Sequence, residues 1–338
     1  MNIVPTRAWH WWIALAALSL VGCGGSSSTP TSPSGPPSGP SIAAGTIFSL
    51  RSGETDQPVA GASITLSAQS SAGPFNAVYT SNGAGQFVLD RAVVLSSTPL
   101  LEVSAAGFLV RTTILRSDET TISLWPSSSA TGLDDAFSAT VAYSPSACPA
   151  VNTPSSVLRR TPSSVTTVNV SFDSSIQDQA AETAHRQAIA RLNEATGGVP
   201  AYQFTSGAAG GVQMIAEIDP NNSTCSTGDG PLRATVVLTS ANGEIVSGRM
   251  VYCSLAAARS VELALHELGH TLGLYHSSSQ ADVMYCSTGR ALAFSGRERL
   301  LMRLMRQRRA GNRWPDNDRT SSSPLSSRGF RTEVTTCE

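Results

Sequence analysis

The chain has 338 residues, which is enough for two domains together with a leader and a linker. Its formal net charge is −1, so the overall charge gives no reason to expect nucleic acid or an acidic substrate as a partner. The basic residues are all arginine, which we interpret as a compositional habit of the source genome and not as a functional signal.

Residues 1–23 have the pattern of an export signal. Arg7 supplies a positive charge, and the apolar core from Trp11 to Val21 is too short to span a bilayer. The segment ends in L-V-G-C, which resembles the lipobox of bacterial lipoproteins and implies cleavage before Cys23 and lipidation of that residue. The alternative is an ordinary secretory signal cut nearby. Both interpretations predict export, and the first predicts a lipid anchor in a bacterial outer membrane, on the periplasmic or the cell-surface face.

Residues 24–41 consist almost entirely of Gly, Ser, Thr and Pro. Such a stretch is typical of a disordered, partly extended linker, which would hold folded domains away from a membrane surface. We expect no catalytic role there.

Residues 42–126 are predicted to form an all-β sandwich, because short β-prone runs alternate with Gly, Pro, Asn and Asp. The stretches Gln57–Ala62, Thr80–Phe87 and Val103–Phe108 resemble the carboxypeptidase-regulatory or transthyretin-like module, which implies a domain without chemistry of its own. A structural spacer is the interpretation we prefer over a ligand-binding role. The predicted strands are 46–50, 62–67, 77–80, 86–89, 100–104 and 109–115.

A linker at Trp125–Ser129 leads into a second predicted domain, residues 127–319. Val165–Phe172 alternates apolar and polar residues, as a half-buried strand does. Apolar residues at helical spacing predict a helix over Ile176–Ala195, and its His185 is expected to pack or to be solvated and not to bind metal. Further strands are predicted at 201–205, 212–218, 234–239 and 244–253, followed by a helix over 255–272.

Two polar loops, Asp219–Asn222 and Thr227–Gly230, carry oxygens of the kind that bind Ca²⁺. No fixed ligand spacing supports a calcium site, so we interpret both loops as plain turns. The chain has six cysteines, of which five remain once Cys23 is assigned to the leader. In an exported protein this number permits two disulfides and one free thiol, although the sequence does not give their connectivity.

The clearest chemistry lies in a segment that reads H-E-L-G-H-T-L-G-L-Y-H. His266 and His270 are four residues apart, so a helix presents both imidazoles on one face. Glu267 lies beside the first histidine, close enough to serve a metal-bound water without being a ligand. Gly273 can end the helix in a left-handed conformation, after which the chain turns back and brings His276 to the same metal. Three imidazoles with one open position indicate a catalytic zinc site.

Met284 follows the third histidine by eight residues. The segment is therefore similar to the extended H-E-x-x-H-x-x-G-x-x-H motif and Met-turn of the metzincin zinc peptidases. Ser277 and the Met284–Tyr285 pair most resemble the matrixin subgroup. The resemblance covers residues 165–290 and implies an α+β zincin domain with a twisted mixed sheet and an active-site helix. It also implies that His266, His270 and His276 bind one Zn²⁺, that Glu267 is the catalytic base, and that Met284 and Tyr285 belong to the Met-turn, with Met284 as a hydrophobic floor.

The chain departs from the matrixin pattern at several positions. Cys286 stands where matrixins have a proline after the Met-Tyr pair. Of the five histidines, His10 lies in the leader and only His185 lies outside the motif and the leader, so the additional structural zinc site of matrixins is expected to be absent. The propeptide cysteine motif is missing. Cys148, before the first strand, is an alternative thiolate cap for the zinc, although a disulfide or a free thiol is the simpler interpretation.

A helix with an apolar stripe is predicted over Ser295–Arg309, ended by Gly311 and Pro315. It resembles the helix that closes the lower subdomain of metzincins. We interpret its many arginines as a solvated face that complements the helix dipole, and an anionic binding surface is the alternative. Residues 320–338 are a polar tail that we expect to be loose, although a disulfide at Cys337 could hold it.

The sequence therefore predicts a zinc-dependent metalloendopeptidase that hydrolyses peptide bonds of protein or peptide substrates with activated water and a glutamate base. An extended substrate is expected to pair with an edge strand, either 244–253 or 212–218. The alternative is a non-catalytic surface binding or adhesion lipoprotein with a silent metzincin-like domain. The complete histidine triad with Glu267 and Met284 favours the enzyme, and no nucleic-acid partner is expected.

Overall fold

A computed structural model of the chain describes residues 39–145, 154–207, 210–223, 225, 234–318 and 331–337. These residues belong to one compact unit, Ser38–Glu338. The predicted leader with Cys23, nearly all of the predicted linker, and Cys148 lie outside the described residues. Among the described residues, no helix combines the length and the apolar character that crossing a membrane requires.

The first part of the described chain is β-rich. Its strands are β1 (Ser41–Ile42), β2 (Ile47–Ser52), β3 (Ser63–Ser70), β4 (Gly73–Thr80), β5 (Gln86–Val88), β6 (Val93–Val94), β7 (Leu100–Ser104), β8 (Arg111–Ile114) and β9 (Thr121–Leu124), with a short 3-10 helix at Leu95–Ser97. One sheet has the order β4-β3-β7-β8, a second has the order β5-β2-β9, and β1 pairs with β6. The burial follows the alternation in the sequence, since every second residue of β3 from Ile64 to Ala68 is buried.

The two larger sheets of this β-rich part share one hydrophobic core. Phe48 of β2 and Phe87 of β5 stack at 5.4 Å between ring centroids, and Ile64 and Leu66 of β3 belong to the same core. The six predicted strands are confirmed within a few residues at their ends. Strand β9 was not predicted, because it is short and half polar. It pairs in parallel with β2 and closes the second sheet.

The second part is built on a six-stranded sheet with the order β11-β10-β12-β14-β13-β15. Its strands are β10 (Thr167–Phe172), β11 (Ala201–Phe204), β12 (Val212–Ile218), β13 (Ala234–Ala241), β14 (Glu244–Tyr252) and β15 (Arg331–Cys337). The first four strands in the order run parallel, whereas β13 is antiparallel to both of its neighbours. The predicted mixed sheet is thus confirmed.

The prediction that β12 or β14 receives an extended substrate is wrong. Strand β12 lies between β10 and β14, and β14 lies between β12 and β13. Each of these strands already pairs on both sides, so neither offers free main-chain groups to another chain. Alternation along a single strand does not reveal the order of strands in a sheet, and the sequence could not exclude these two candidates.

The expectation of a loose C-terminal tail is wrong for residues 331–337. They form β15, which pairs with β13 from Ser240↔Arg331 to Ala234↔Cys337. The run R-T-E-V-T-T-C is polar, but four of its seven residues are β-branched and favour a strand. Polarity alone therefore misled the sequence interpretation.

In the described part of the chain, five α-helices accompany the sheets: α1 (Asp135–Tyr143), α2 (Gln179–Thr196), α3 (Leu255–Ala258), α4 (Val261–Thr271) and α5 (Gly296–Arg306). Helix α2 agrees with the prediction. Its N-cap Asp178 accepts a hydrogen bond from the backbone N–H of Ala181, and Gly197 ends it in the left-handed conformation. Helix α1 was not predicted, because seven of its nine residues are buried and it shows no amphipathic pattern.

The predicted single helix over 255–272 is two helices. Ser260 accepts a hydrogen bond from the backbone N–H of Leu263 and caps the start of α4, while α3 ends before Arg259. Helix α4 packs against α2 and against strands β13 and β14. The break therefore gives the motif helix its own start and its own orientation on the sheet.

The two parts of the described chain share a buried interface. Trp125, which the sequence places in a linker, is fully buried and packs against Tyr143 of α1 with ring centroids 6.3 Å apart. Arg308, beyond the end of α5, is also buried and donates to Asp316 and to the main-chain oxygen of Ser123. The predictions of a linker at Trp125 and of a solvated face at Arg308 are wrong, because both side chains fill this interface. The boundary after residue 126 stays a prediction.

Candidate metal centre

The three histidines of the motif converge in the interior of the second part. His266 and His270 lie one turn apart on α4, and His276 follows the turn after the helix. The ring centroids lie 4.7 Å apart for His266 and His270, 5.4 Å for His266 and His276, and 4.9 Å for His270 and His276. One ligand atom from each residue lies within 4.8 Å of the others, and all three residues are 0% exposed. Among the described residues, this is the one such group of His, Cys, Asp and Glu.

Backbone carbonyl groups orient the two helical histidines. Nδ1 of His266 donates to the main-chain oxygen of Val283 and Nδ1 of His270 to that of Leu274, each at 2.7 Å. This pattern leaves Nε2 of both rings without a proton and available as a ligand atom. Burial, with a further contribution from the charge of Arg290, lowers the pKa of His266 well below its ordinary value, and burial does the same to the pKa of His270. Both imidazoles are therefore held in the neutral form that binds metal.

The distance between the two helical ligand atoms tests whether zinc fits. Nε2 of His266 and Nε2 of His270 lie 3.1 Å apart. Two nitrogen ligands of a tetrahedral Zn²⁺, each at ~2.0–2.1 Å from the ion, are ~3.3 Å apart. The two helical imidazoles therefore fit a zinc ion in both chemistry and spacing, and His276 adds a third imidazole whose ligand atom lies within 4.8 Å of theirs.

Gly273 makes the turn that brings the third histidine to the site. Its φ is +94°, and a Cβ at this position would lie 2.7 Å from the carbonyl carbon of Arg159 and closer still to its oxygen. Only glycine combines this conformation with so close an approach. Two residues later, the backbone N–H of Tyr275 donates to the main-chain oxygen of Val141 at 2.7 Å, which ties the turn to α1. The predicted left-handed glycine is confirmed.

Glu267 follows His266 on α4 and is fully buried. The structure thus brings the three histidines together, and Glu267 is a buried residue next to the first of them on the same helix.

Met284 is fully buried beneath α4. A Cβ on Gly269 would lie 3.3 Å from Cε of Met284 and would overlap its sulfur atom. The absence of a side chain at Gly269, between the two helical histidines, lets the methionine approach the helix. The strand-like contact Ser277↔Tyr285 closes the loop between the third histidine and Tyr285, with the backbone N–H of Ser277 donating to the main-chain oxygen of Met284 at 2.6 Å.

Glu298 of α5 stabilises the loop between the third histidine and Tyr285. The sequence analysis did not identify this residue. Its carboxylate accepts hydrogen bonds from the backbone N–H groups of Val283 at 3.2 Å, Met284 at 2.8 Å and Ser295 at 2.7 Å. Burial, together with the negative charge of Asp282, raises the pKa of Glu298 to about 7, and the three N–H donors offset part of that effect. The capping box S-x-x-E at the start of α5 was a visible signal, but its second role depends on tertiary packing.

Asp282 is a second residue that stabilises this loop and that the sequence analysis did not identify. It is fully buried, accepts a hydrogen bond from the hydroxyl of Ser277, and forms an ion pair with Arg297 of α5. Ser277 directly follows the third histidine, so this pair connects the last metal ligand to α5. The buried Arg290 lies on the other side of the loop, where its Nε donates to the main-chain oxygen of Tyr285 at 2.8 Å.

Three cysteines of the described chain form disulfide bonds. Cys225 and Cys253 are bonded, which joins the loop after β12 to the start of α3. Cys286, at the position of the expected proline, is buried and is also disulfide-bonded. Cysteine pairing in the second part is therefore confirmed for these three residues.

The remaining candidates have structural roles or stay predictions. His185 is buried, and its ring nitrogens lie 2.9 Å from the main-chain oxygen of Ala181 and from the hydroxyl of Tyr252, so the predicted packing role is confirmed. In the loop at Asp219 the carboxylate accepts from the backbone N–H of Asn221, as in a plain turn. The second polar loop, Thr227–Gly230, lies outside the described residues.

Comparison with known proteins supports the geometric interpretation. Residues 167–293 match the family model of the matrixin peptidases, a segment of less than half of the chain that contains the three histidines, Glu267 and Met284. No protein in the curated set matches the chain. The match supports a metzincin-like domain and indicates zinc metalloprotease activity.

Proposed function

We propose that this chain is a zinc-dependent endopeptidase that cleaves extended segments of protein substrates. The observation that carries the proposal is the convergence of three buried imidazoles beside a buried glutamate, within the segment that matches the matrixin model. Three protein ligands leave a fourth position for water or substrate, as catalytic zinc sites do.

In this proposal His266, His270 and His276 hold the ion, and Glu267 handles protons. The zinc ion, when bound, supplies Lewis acidity that activates a water molecule and polarises a carbonyl group. Glu267 accepts the proton of the attacking water and passes a proton to the amine that leaves when the peptide bond breaks. Its position on α4, next to a ligand of the same helix, fixes the carboxylate relative to the site and reduces the entropic cost of that transfer.

The surrounding residues serve to hold the ligands in place. The carbonyl groups of Val283 and Leu274 fix the ring orientations, and Glu298 in turn fixes the backbone that carries Val283. Such outer contacts commonly determine metal affinity almost as strongly as the ligands themselves. Glu298 and Asp282 are thus positioning residues for the metal site.

We propose β13 as the strand that receives the substrate. It lies at one end of the five strands that precede the motif, α4 packs against it, and its outer side pairs with the chain's own β15. An extended peptide that takes the place of β15 on this strand gains main-chain hydrogen bonds and presents alternate side chains to the cleft. Such pairing suits a segment of unfolded or flexible polypeptide better than a compact fold.

The proposed location is outside the cytoplasm. The export pattern of residues 1–23, with the lipobox-like end at Cys23, supports a lipid anchor, and the linker over residues 24–41 would give the enzyme reach above the membrane.

The test combines metal analysis with a peptide-library cleavage assay on the full chain without its leader. We expect one zinc per chain and cleavage that a chelator abolishes. The variant Glu267→Ala should keep the zinc and lose about 10²–10⁴-fold in kcat, because it lacks the general base. Glu182→Ala, a helix glutamate on α2 whose carboxylate pairs only with Arg186 among the described contacts, is the matched control and should cleave normally.

Two results would contradict the proposal. Retained peptide cleavage by Glu267→Ala would refute the assigned base. Stoichiometric zinc without cleavage of any library peptide would favour the silent binding lipoprotein, since the metal site would then be structural.

A further inference from the structure

Strand β13 lies beside α4, the helix that carries His266 and His270. Helix α4 packs against β13 and β14, whereas α2 packs against β11 at the opposite edge. A strand on the outer side of β13 therefore pairs with a strand that contacts α4, the helix that carries His266 and His270, whereas a strand on the outer side of β11 pairs with one that contacts α2.

The outer side of β13 is already occupied by the chain's own β15. Seven consecutive residue pairs join β13 to β15 in antiparallel order, from Ser240↔Arg331 to Ala234↔Cys337, with no shift in register. By contrast, the pairing of β13 with β14 contains an irregularity between Thr239 and Ser240. The outer ladder is thus the more regular of the two, and it uses the main-chain groups that an added strand would need.

We propose that β15 is an intramolecular occupant of the substrate-binding edge, and that it limits access of extended polypeptides to the metal centre. The inference rests on the proposed function. One edge of a strand pairs with one chain at a time, so β15 and a substrate segment exclude each other on β13. A tethered strand also competes at a high effective concentration, so an external peptide must displace it before it can bind.

The proposal predicts activation when the strand is removed. If β15 occupies the edge in nine of ten molecules, its removal raises kcat/KM for an extended peptide about tenfold, because the apparent affinity scales with the competent fraction. The comparison is between the full chain and a chain that lacks residues 331–338. A synthetic peptide with the sequence of residues 331–337 should inhibit the shortened chain competitively and should inhibit the full chain less.

Two further variants separate the strand from other effects of the deletion. Cys337→Ser in the full chain keeps the length and the main-chain groups of β15, so its kcat/KM should stay unchanged. The double variant Val334→Pro/Thr335→Pro keeps the length of the chain but removes two adjacent main-chain donors, one of which points toward β13 in any register. It should activate the enzyme as the deletion does.

Hydrogen exchange of residues 234–241 provides a readout that does not depend on activity. In the full chain these amides should exchange slowly, and the deletion and the double proline variant should accelerate the exchange. Accelerated exchange with an unchanged kcat/KM would overturn the inference, since β15 would then not block the substrate. Unchanged exchange would also overturn it, because the strand would not be paired in solution.

The failure of this inference is distinguishable from the failure of the proposed function. If no variant cleaves any peptide, the enzyme proposal fails. The hydrogen-exchange data then still show whether β15 and an external peptide compete for β13. If an extended peptide slows amide exchange of residues 234–241 in the shortened chain but not in the full chain, the inference that β15 occupies a peptide-binding strand still holds. Equal protection in both chains would refute it.

Discussion

Replacement of Gly273 by alanine tests whether the turn after α4 builds the metal centre. Alanine at φ +94° costs about 1–2 kcal/mol in backbone conformation. The added Cβ would also approach the carbonyl carbon of Arg159 to 2.7 Å and its oxygen more closely, so backbone must shift. Overpacking of this kind typically costs about 1–3 kcal/mol. The variant should therefore lose about 2–5 kcal/mol in the free energy of unfolding.

The matched control is Gly198→Ala. Gly198 also has a positive φ, +70°, but a Cβ there meets no atom within 4 Å. This control should lose only the conformational part, about 1–2 kcal/mol. Chemical denaturation of both variants, with zinc removed by a chelator, gives the difference that belongs to the contact with Arg159.

Zinc affinity supplies the second measurement for Gly273→Ala. His276 lies three residues beyond the glycine, so a shift of the turn displaces this ligand relative to His266 and His270. We expect weaker zinc binding in Gly273→Ala and unchanged binding in Gly198→Ala, measured by competition with a chromophoric chelator. If the two variants have equal stability and equal zinc affinity, the close approach to Arg159 does not position the third ligand.

Two further predictions concern buried polar groups outside the ligand set. Burial lowers the pKa of His185 to about 4 from its ordinary value of 6.5, so the protein loses stability as the pH falls from about 6.5 to 4, by about 3 kcal/mol in total. His185→Gln should show a flatter acid limb in thermal denaturation between pH 4 and 8, and an unchanged slope would contradict the assignment. Arg297→Met leaves buried Asp282 without its charged partner and should cost about 2–3 kcal/mol, less than for a fully buried pair because Arg297 is partly exposed. The exposed Arg299→Met serves as control in urea unfolding, and equal losses in the two variants would refute the role of the ion pair.

The sequence predicted that the three histidines of the motif converge, because this geometry is local. Spacing along one helix and one glycine turn determine where His266, His270 and His276 can meet, and these rules do not depend on the rest of the fold. The same holds for α2, whose caps at Asp178 and Gly197 are local signals. For the three histidines and for α2, the structure supplies distances and agrees with the elements predicted from the sequence.

The elements that the sequence did not predict are those whose stability comes from tertiary pairing. Helix α1 is buried on nearly all sides and therefore lacks the amphipathic pattern that identifies a surface helix. Strand β15 is polar and is defined by its partner β13. The start of α4 at Ser260 is not evident from the sequence, because the apolar spacing continues through the break between α3 and α4.

The contacts that hold the metal ligands connect the site to the β-rich part of the chain. Glu298 of α5 fixes the backbone of Val283, which orients His266. Shortly after Glu298 the chain is anchored to the β-rich part, because Arg303 donates to the main-chain oxygen of Glu54, and Gln307 donates to that of Gly53. The β-rich part therefore contributes to the second part of the chain. It supports the helix that holds the loop after the third histidine, so changes in its packing against α5 are expected to reach the three histidines through Glu298.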